Sequence, residues 1–129
     1  GADLLEGLAG NDLLRSGIGD DLMTGGAGRD TLQGGAGADT LEGGTWRDTL
    51  FGGADADTFR FSPGDGLDAI EDFVPGEDVF ELRGLASRAE LIIEATPTGA
   101  RILWAGQGVE IAVTGVDPAA LDHDAAFGF

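Results

Sequence analysis

Large apolar side chains recur at every ninth position through the first half of the chain. They are Leu5, Leu14, Met23, Leu32, Leu41, Leu50 and Phe59. An Asp precedes each of them by two residues, at Asp3, Asp12, Asp21, Asp30, Asp39, Asp48 and Asp57. Glycine pairs fill most of the segments between these positions. A period of nine residues held over seven units indicates a solenoid, in which successive repeats stack on one another.

Each repeat predicts a turn followed by a short strand. Six residues that are rich in glycine and end in Asp form the turn, because glycine reaches positive φ values that other residues resist. The three residues after the Asp, such as residues 31–33, form a strand whose central side chain points inward. Two repeats make one coil, so loops 18 residues apart stack along one edge. The predicted fold class is therefore all-β, a parallel β-roll.

The stacked Asp side chains require a counter-charge. Neighbouring strands lie about 4.8 Å apart, so carboxylates on successive loops repel one another unless a cation lies between them. Calcium suits this position, because it takes about six to eight oxygen ligands, including backbone carbonyls. Magnesium retains its own waters, and zinc prefers nitrogen or sulfur ligands. The chain has no Cys and a single His, His123.

The charge and the motifs argue against several other functions. The chain has 24 acidic and 7 basic residues and a formal net charge of −17, which disfavours nucleic acid and anionic membranes as partners. No apolar stretch is long enough to span a bilayer. A lone His and the absence of a Gly-x-Ser-x-Gly motif predict a non-catalytic chain. The sequence opens inside a repeat without a signal peptide, so we expect a fragment of a longer protein.

Residues 7–60 resemble the repeats-in-toxin (RTX) nonapeptide, Gly-Gly-x-Gly-x-Asp-x-apolar-x. In that family, each calcium ion lies between two loops that are 18 residues apart. The earlier loop supplies its Asp and the carbonyls of its second and fourth positions. The later loop supplies its Asp and the carbonyls of its first and third positions. The resemblance implies about five calcium ions in this chain.

The resemblance implies four complete ligand sets and one incomplete set. The first is Leu8, Gly10 and Asp12 with Gly25, Ala27 and Asp30, and the second is Gly17, Gly19 and Asp21 with Gly34, Ala36 and Asp39. The third is Gly26, Gly28 and Asp30 with Gly43, Thr45 and Asp48, and the fourth is Gly35, Gly37 and Asp39 with Gly52, Ala54 and Asp57. The incomplete set places Gly1 and Asp3 opposite Ser16, Ile18 and Asp21.

Four residues depart from the glycine pattern: Leu8, Ser16, Trp46 and Asp55. Leu8 and Ser16 replace a glycine of the pair, whereas Trp46 and Asp55 replace the fourth-position glycine. A tryptophan held in a glycine-type conformation costs about 1 to 2 kcal/mol. The site that uses Gly44, Trp46 and Asp48 is therefore the doubtful one.

The nine-residue period ends after Phe61, and shorter alternating patterns follow. They predict four or five strands, around residues 69–73, 79–82, 91–93, 102–104 and 109–113, with a helical turn at Pro118–Leu121. We expect these strands to be antiparallel and to cap the open end of the roll, as the terminal units of solenoids must. The predicted division is a repeat segment at 1–61 and a cap with a secretion signal at 62–129.

This second half resembles the C-terminal segment of serralysin-type proteases, on residues 55–61, 64–73 and 75–78. The resemblance implies a last calcium site at Asp68 and Asp72, for which a solvated acidic turn is the alternative. It also implies an uncleaved secretion signal, matched loosely by residues 122–129, and a type I ABC exporter as partner. The expected protein is secreted and monomeric, with a calcium-dependent folding module attached to an N-terminal cargo.

Two binding functions remain as alternatives. A carbohydrate-binding module, like the accessory modules of secreted alginate epimerases, would use Trp46 and Trp104 to stack on sugar rings. An ice-binding solenoid would use a flat threonine array. The candidate threonines are Thr31, Thr40, Thr49 and Thr58, and the neighbouring Gln33, Glu42 and Phe51 interrupt a regular array.

Overall fold

The computed structural model describes residues 1–85, 90–121 and 124–127. The strands of the repeat segment are β1 (Leu4–Glu6), β2 (Leu13–Ile18), β3 (Leu22–Ala27), β4 (Thr31–Ala36), β5 (Thr40–Thr45), β6 (Thr49–Ala54) and β7 (Thr58–Phe61). The strands that follow are β8 (Gly66–Ile70), β9 (Val79–Leu82), β10 (Leu91–Thr96), β11 (Gly99–Trp104) and β12 (Val109–Thr114). Helix α1 (Pro118–Leu121) and a 3₁₀ helix (Asp124–Phe127) end the described chain.

From β1 to β9, the odd-numbered and even-numbered strands form separate sheets. The first sheet has the order β1-β3-β5-β7-β9 and is parallel throughout. The second contains β2, β4, β6 and β8 in parallel and continues through β12, β11 and β10. Leu32 pairs with Leu50, 18 residues later. This register confirms a parallel β-roll with two repeats in each coil.

The strands of the roll are longer than the predicted three residues. Strand β4 covers Thr31–Ala36, because its glycine pair continues the parallel ladder and Gly35 pairs with Gly53. The prediction had assigned these glycines to the turn. Glycine lacks a side chain but keeps its backbone donor and acceptor, so a ladder between identical repeats runs through it. The turn shrinks to residues 37–39.

From Met23 to Phe59, each repeat contributes one fully buried apolar side chain to the core of the roll. The repeat positions Met23, Leu32, Leu41, Leu50 and Phe59 are fully buried. Burial of each such side chain stabilises the fold by about 1.5 to 3 kcal/mol. That gain is small against a backbone entropy cost of about 1 to 2 kcal/mol for each of the nine residues of a repeat. The repeat core therefore needs support from its loops or its ends.

Beyond Phe61 the expected antiparallel arrangement is only partly present. Strands β10, β11 and β12 are antiparallel neighbours, as predicted. Strands β8 and β9 instead pair in parallel with β6 and β7, so for these two the prediction was wrong. Extra residues in the connecting turns change the spacing along the sequence but leave the stacking intact. The division at Phe61 stays a prediction, and parallel pairing runs across it.

An aromatic stack closes the end of the roll. Phe73 contacts Phe59 with ring centroids 5.9 Å apart and stacks on Phe80 at 4.3 Å. Phe80 in turn stacks on Phe127 at 5.3 Å. The predicted helical turn is present as α1. Within the described part of the chain, no helix has the length and apolar character needed to cross a membrane.

Candidate calcium sites

The Asp residues of the repeats form two columns, one along each edge of the roll. Oδ1 of Asp30 accepts a hydrogen bond from the backbone N–H of Asp12 at 2.8 Å, and Asp48 repeats this contact with Asp30 at 2.8 Å. On the other edge, Asp39 accepts from Asp21 at 2.9 Å. One oxygen of each carboxylate therefore links its coil to the coil before it.

The second oxygen of these carboxylates has no partner. Among the described residues, a buried Oδ2 without a hydrogen bond occurs in Asp12, Asp21, Asp30, Asp39, Asp48, Asp57 and Asp68. An unsatisfied buried acceptor costs about 1 to 3 kcal/mol, and more when it is charged. A cation between the loops would offset this cost at each of these seven positions.

Burial raises the pKa of several of these carboxyl groups. The pKa of Asp48 rises to about 6, that of Asp57 to about 7 and that of Asp68 to about 8. In each case the backbone hydrogen bond from the previous coil opposes the rise, and the charge of a stacked Asp adds to it. Without a bound cation, burial thus disfavours the charged form of these carboxylates.

Backbone carbonyl oxygens share the space into which Oδ2 points. A Cβ built on Gly25 would lie 2.5 Å from Asp30 Oδ2 and 2.5 Å from the carbonyl oxygen of Gly43. A Cβ on Gly7 would lie 2.7 Å from Asp12 Oδ2 and 2.6 Å from the carbonyl oxygen of Gly25. Each space is thus lined by the carboxylate of its own loop and by a carbonyl oxygen of the next loop on that edge. Calcium prefers oxygen ligands of these kinds.

The loop conformations follow the positions within the repeat. The second and fourth positions have positive φ, as in Gly26 (105°) and Gly28 (130°). Leu8 (74°), Trp46 (87°) and Asp55 (79°) adopt the same region without being glycine. This confirms the expected conformation of Trp46, whose side chain is 72% exposed and so gains little from burial. Ser16 stands at a first position, where φ is not positive.

Several predicted carbonyl ligands already accept a backbone hydrogen bond. The carbonyl of Leu8 accepts from Ala27, that of Ala27 from Gly10, that of Ala36 from Gly19 and that of Ala54 from Gly37. A carbonyl oxygen has two lone pairs, so it can also bind an ion. No group of three or more metal-binding side chains occurs in the described segments. An ion would depend on two carboxylates and main-chain oxygens, and the full ligand sets stay a prediction.

The incomplete first set lies at the open end of the roll. The backbone N–H of Asp3 donates to Asp21 Oδ1 at 2.7 Å, so the structure brings these two residues together. Ile18 is 81% exposed, and the side chain of Asp3 is exposed as well.

The last coil extends both Asp columns with changed spacing. Asp68 accepts from the N–H of Asp48 at 2.8 Å, 20 residues away, and Asp78 accepts from Asp57 at 2.9 Å, 21 residues away. The sequence reasoning missed Asp78, because insertions of two and three residues (20 − 18 and 21 − 18) hide the period. The turn ending at Asp78, directly before a buried apolar strand, was the available signal. Asp78 Oδ2 accepts from Val74 at 2.8 Å.

Asp72 has a different environment from Asp68. Its two carboxylate oxygens accept hydrogen bonds from the backbone N–H groups of Gly52 at 2.9 Å and Gly53 at 3.0 Å. Asp72 therefore binds the backbone of strand β6 beyond the end of its pairing with β8. The predicted pairing of Asp68 with Asp72 around one ion stays a prediction. Residues 122, 123, 128 and 129, which include His123 and parts of the predicted secretion signal, lie outside the described residues.

Comparisons with known proteins agree with this geometry. The family model described as the RTX calcium-binding nonapeptide repeat (4 copies) matches residues 1–32 and 33–67. The solution structure of the AlgE6R3 subunit of the Azotobacter vinelandii mannuronan C5-epimerase is 34% identical, with a TM-score of 0.62, and the match covers 98% of this chain and 76% of that one. The AlgE6R2 subunit of the same enzyme is 28% identical, with a TM-score of 0.71, covering 95% and 91%.

A search of curated proteins gives no match. The matched family is a structural calcium-binding repeat rather than a catalytic domain. Its match covers more than half of this chain, and the roll, the loop conformations and the Asp columns are those that the sequence resemblance implied. The chain belongs to the RTX calcium-binding nonapeptide repeat family.

Proposed function

We propose that this chain is a calcium-triggered folding module of a secreted protein. The observation that supports it most directly is the pair of Asp columns with buried, unpartnered Oδ2 atoms. At the low calcium concentration of a cytosol, sites of the affinity usual for extracellular modules stand empty. The net charge of −17 then favours an extended chain. Calcium outside the cell offsets the carboxylate repulsion and closes the roll.

Circular dichroism in chelator and then in millimolar calcium tests this function. We expect the β-sheet signal to appear with calcium and to be absent with an equal concentration of magnesium, which retains its waters. Equal β-sheet signal in chelator and in calcium would refute calcium-triggered folding.

The same proposal includes export by a type I ABC exporter. The support is the likeness to RTX proteins together with the expected secretion signal at residues 122–129. Deleting residues 83–129, after β9, should abolish secretion of an attached cargo, while the remaining repeats bind calcium more weakly without their cap. Unchanged secretion of the deletion variant would refute the placement of the export signal.

A second candidate function is carbohydrate binding, and one surface feature favours it. Trp46 lies beside Arg29, Arg47 and Asn11 at a pocket of about 450 Å³ on one edge of the roll. An exposed indole stacks on sugar rings, and two guanidinium groups suit carboxylated sugars. Trp104 does not fit this role, because it is 3% exposed and its Nε1 donates to Glu90 at 3.4 Å.

Binding of polymannuronate in calcium-containing buffer tests the second candidate. Trp46→Gly should remove binding and leave the roll intact, since glycine suits the conformation at this position. Ile92→Ala, at an exposed residue of strand β10 that does not line this pocket, is the matched control. Equal affinity of the wild type and Trp46→Gly would exclude the pocket as a glycan site.

A further inference from the structure

The first-position glycine of each repeat keeps a space open between stacked loops. Gly25 shows why, because a Cβ there would lie 2.5 Å from both Asp30 Oδ2 and the Gly43 carbonyl oxygen. Its φ is not positive. At Gly25, glycine therefore serves by leaving space between the loops rather than by its conformational freedom. Ser16 occupies the same position in the loop that ends at Asp21.

Ser16 places a hydroxyl in the space that the other loops leave open. Its Oγ donates a hydrogen bond to the carbonyl oxygen of Gly34 at 2.7 Å. This carbonyl corresponds to that of Gly43 on the opposite edge, and both belong to the predicted ligand sets. Asp21, in the same loop as Ser16, is 3% exposed, and its Oδ2 is buried without a hydrogen bond.

We propose that Ser16 Oγ is a further ligand of the calcium ion held between loops 16–21 and 34–39, and that it makes this the tightest site of the roll. The inference rests on the proposed calcium-dependent function. A hydroxyl adds an oxygen to the site without adding negative charge to a chain at −17. The bond from Ser16 to Gly34 also links the two loops before the ion binds, and such preorganisation lowers the cost of binding.

Calcium titrations of folding, followed by circular dichroism, test the proposal. Ser16→Gly should raise the calcium midpoint about threefold to tenfold, the range expected for one net polar contact. Ser16→Ala should raise it at least as much, because the methyl group keeps water out of the space and supplies no oxygen.

A second comparison separates metal binding from a structural hydrogen bond. Asp39→Asn disables the ion next to Ser16, whereas Asp30→Asn disables ions on the opposite edge. The effect of Ser16→Gly should vanish in the Asp39→Asn background and persist in the Asp30→Asn background. An equal effect in both backgrounds, or a Ser16→Gly midpoint at or below that of the wild type, would overturn the proposal. A wild-type chain that ignores calcium would overturn the proposed function as well.

Discussion

Asp39 stands in the middle of one Asp column, so its charge should serve two calcium sites. The stacking places it between Asp21 and Asp57, each 18 residues away, and not beside Asp30 or Asp48. Asp12, near the open end of the other column, should serve one site with Asp30. Asn is the informative replacement, because it retains an Oδ1 acceptor for the backbone N–H of the previous coil and removes the negative charge.

The expected magnitudes follow from binding linkage. At free calcium about a hundredfold above the dissociation constant, each site contributes about 2.7 kcal/mol to the stability of the roll. Asp39→Asn should therefore lower the free energy of unfolding by up to about 5 kcal/mol, and Asp12→Asn by about half as much. Asp20→Asn is the matched control, because Asp20 is exposed and also accepts a loop hydrogen bond, from Ala38 at 2.8 Å. It should change stability by less than about 0.5 kcal/mol.

Urea unfolding at fixed free calcium measures these values, and a double-mutant cycle tests the geometry. Residues that share an ion couple, whereas residues without a shared partner add. Asp21 and Asp39 should be strongly non-additive, and Asp30 and Asp39 should be close to additive. Stronger coupling between residues nine apart than between residues 18 apart would refute the arrangement of two repeats per coil.

Three further changes test the strain, the titration and the core of the roll. Trp46→Gly should stabilise the calcium-loaded roll by about 1 kcal/mol in a thermal melt, because it relieves a positive φ of 87°. In chelator, the calcium-free roll should gain β-sheet signal as the pH falls from about 8 to about 4. Burial in the folded roll raises the pKa of Asp57 to about 7 and that of Asp68 to about 8. The folded state therefore binds protons more strongly than the unfolded chain. Protonation thus stabilises the roll at low pH, and this stabilisation is lost as the pH rises through those two values. Leu50→Ala should cost about 2 to 5 kcal/mol in urea unfolding, whereas Leu4→Ala, at a residue 64% exposed, should cost far less.

The repeat period predicted the roll, and the residues between the motifs decided where that prediction failed. A strict spacing of nine residues places Leu32 over Leu14 and under Leu50 with no other information. The spacing did not predict the parallel pairing of strand β8, since two extra residues lie between Asp48 and Asp68. A rule based on fixed spacing fails where a turn contains an insertion and the strands still stack. The hydrogen bond from Asp48 to Asp68 and the pairing of Thr49 with Ala69 show that the column continues.

The site positions were predictable for a different reason from the site contacts. The family pattern named Asp21 and Gly34, because both belong to a repeated backbone geometry. The pattern gave no role to the Ser16 side chain. That role depends on the contact of its hydroxyl with the Gly34 carbonyl oxygen in the next loop on the same edge, which the sequence alone does not show. Asp72 shows the reverse case. The family resemblance implied an ion shared with Asp68, which stays a prediction, and the pattern gave no sign that the Asp72 oxygens accept from the backbone of Gly52 and Gly53.

Stabilisation of the stacked coils changes along the roll. At the open end, Leu5 is only partly buried and Leu8 is 71% exposed, so side-chain packing contributes least there. At the other end, Phe59, Phe73 and Phe80 form a continuous aromatic contact. Strand β12 lies beside β8 and belongs to local antiparallel pairs, which close short loops at low entropic cost. We therefore expect coils to add from the cap toward the N-terminus, and the outermost coil to rely most on calcium, because Leu5 and Leu14 are only partly buried there.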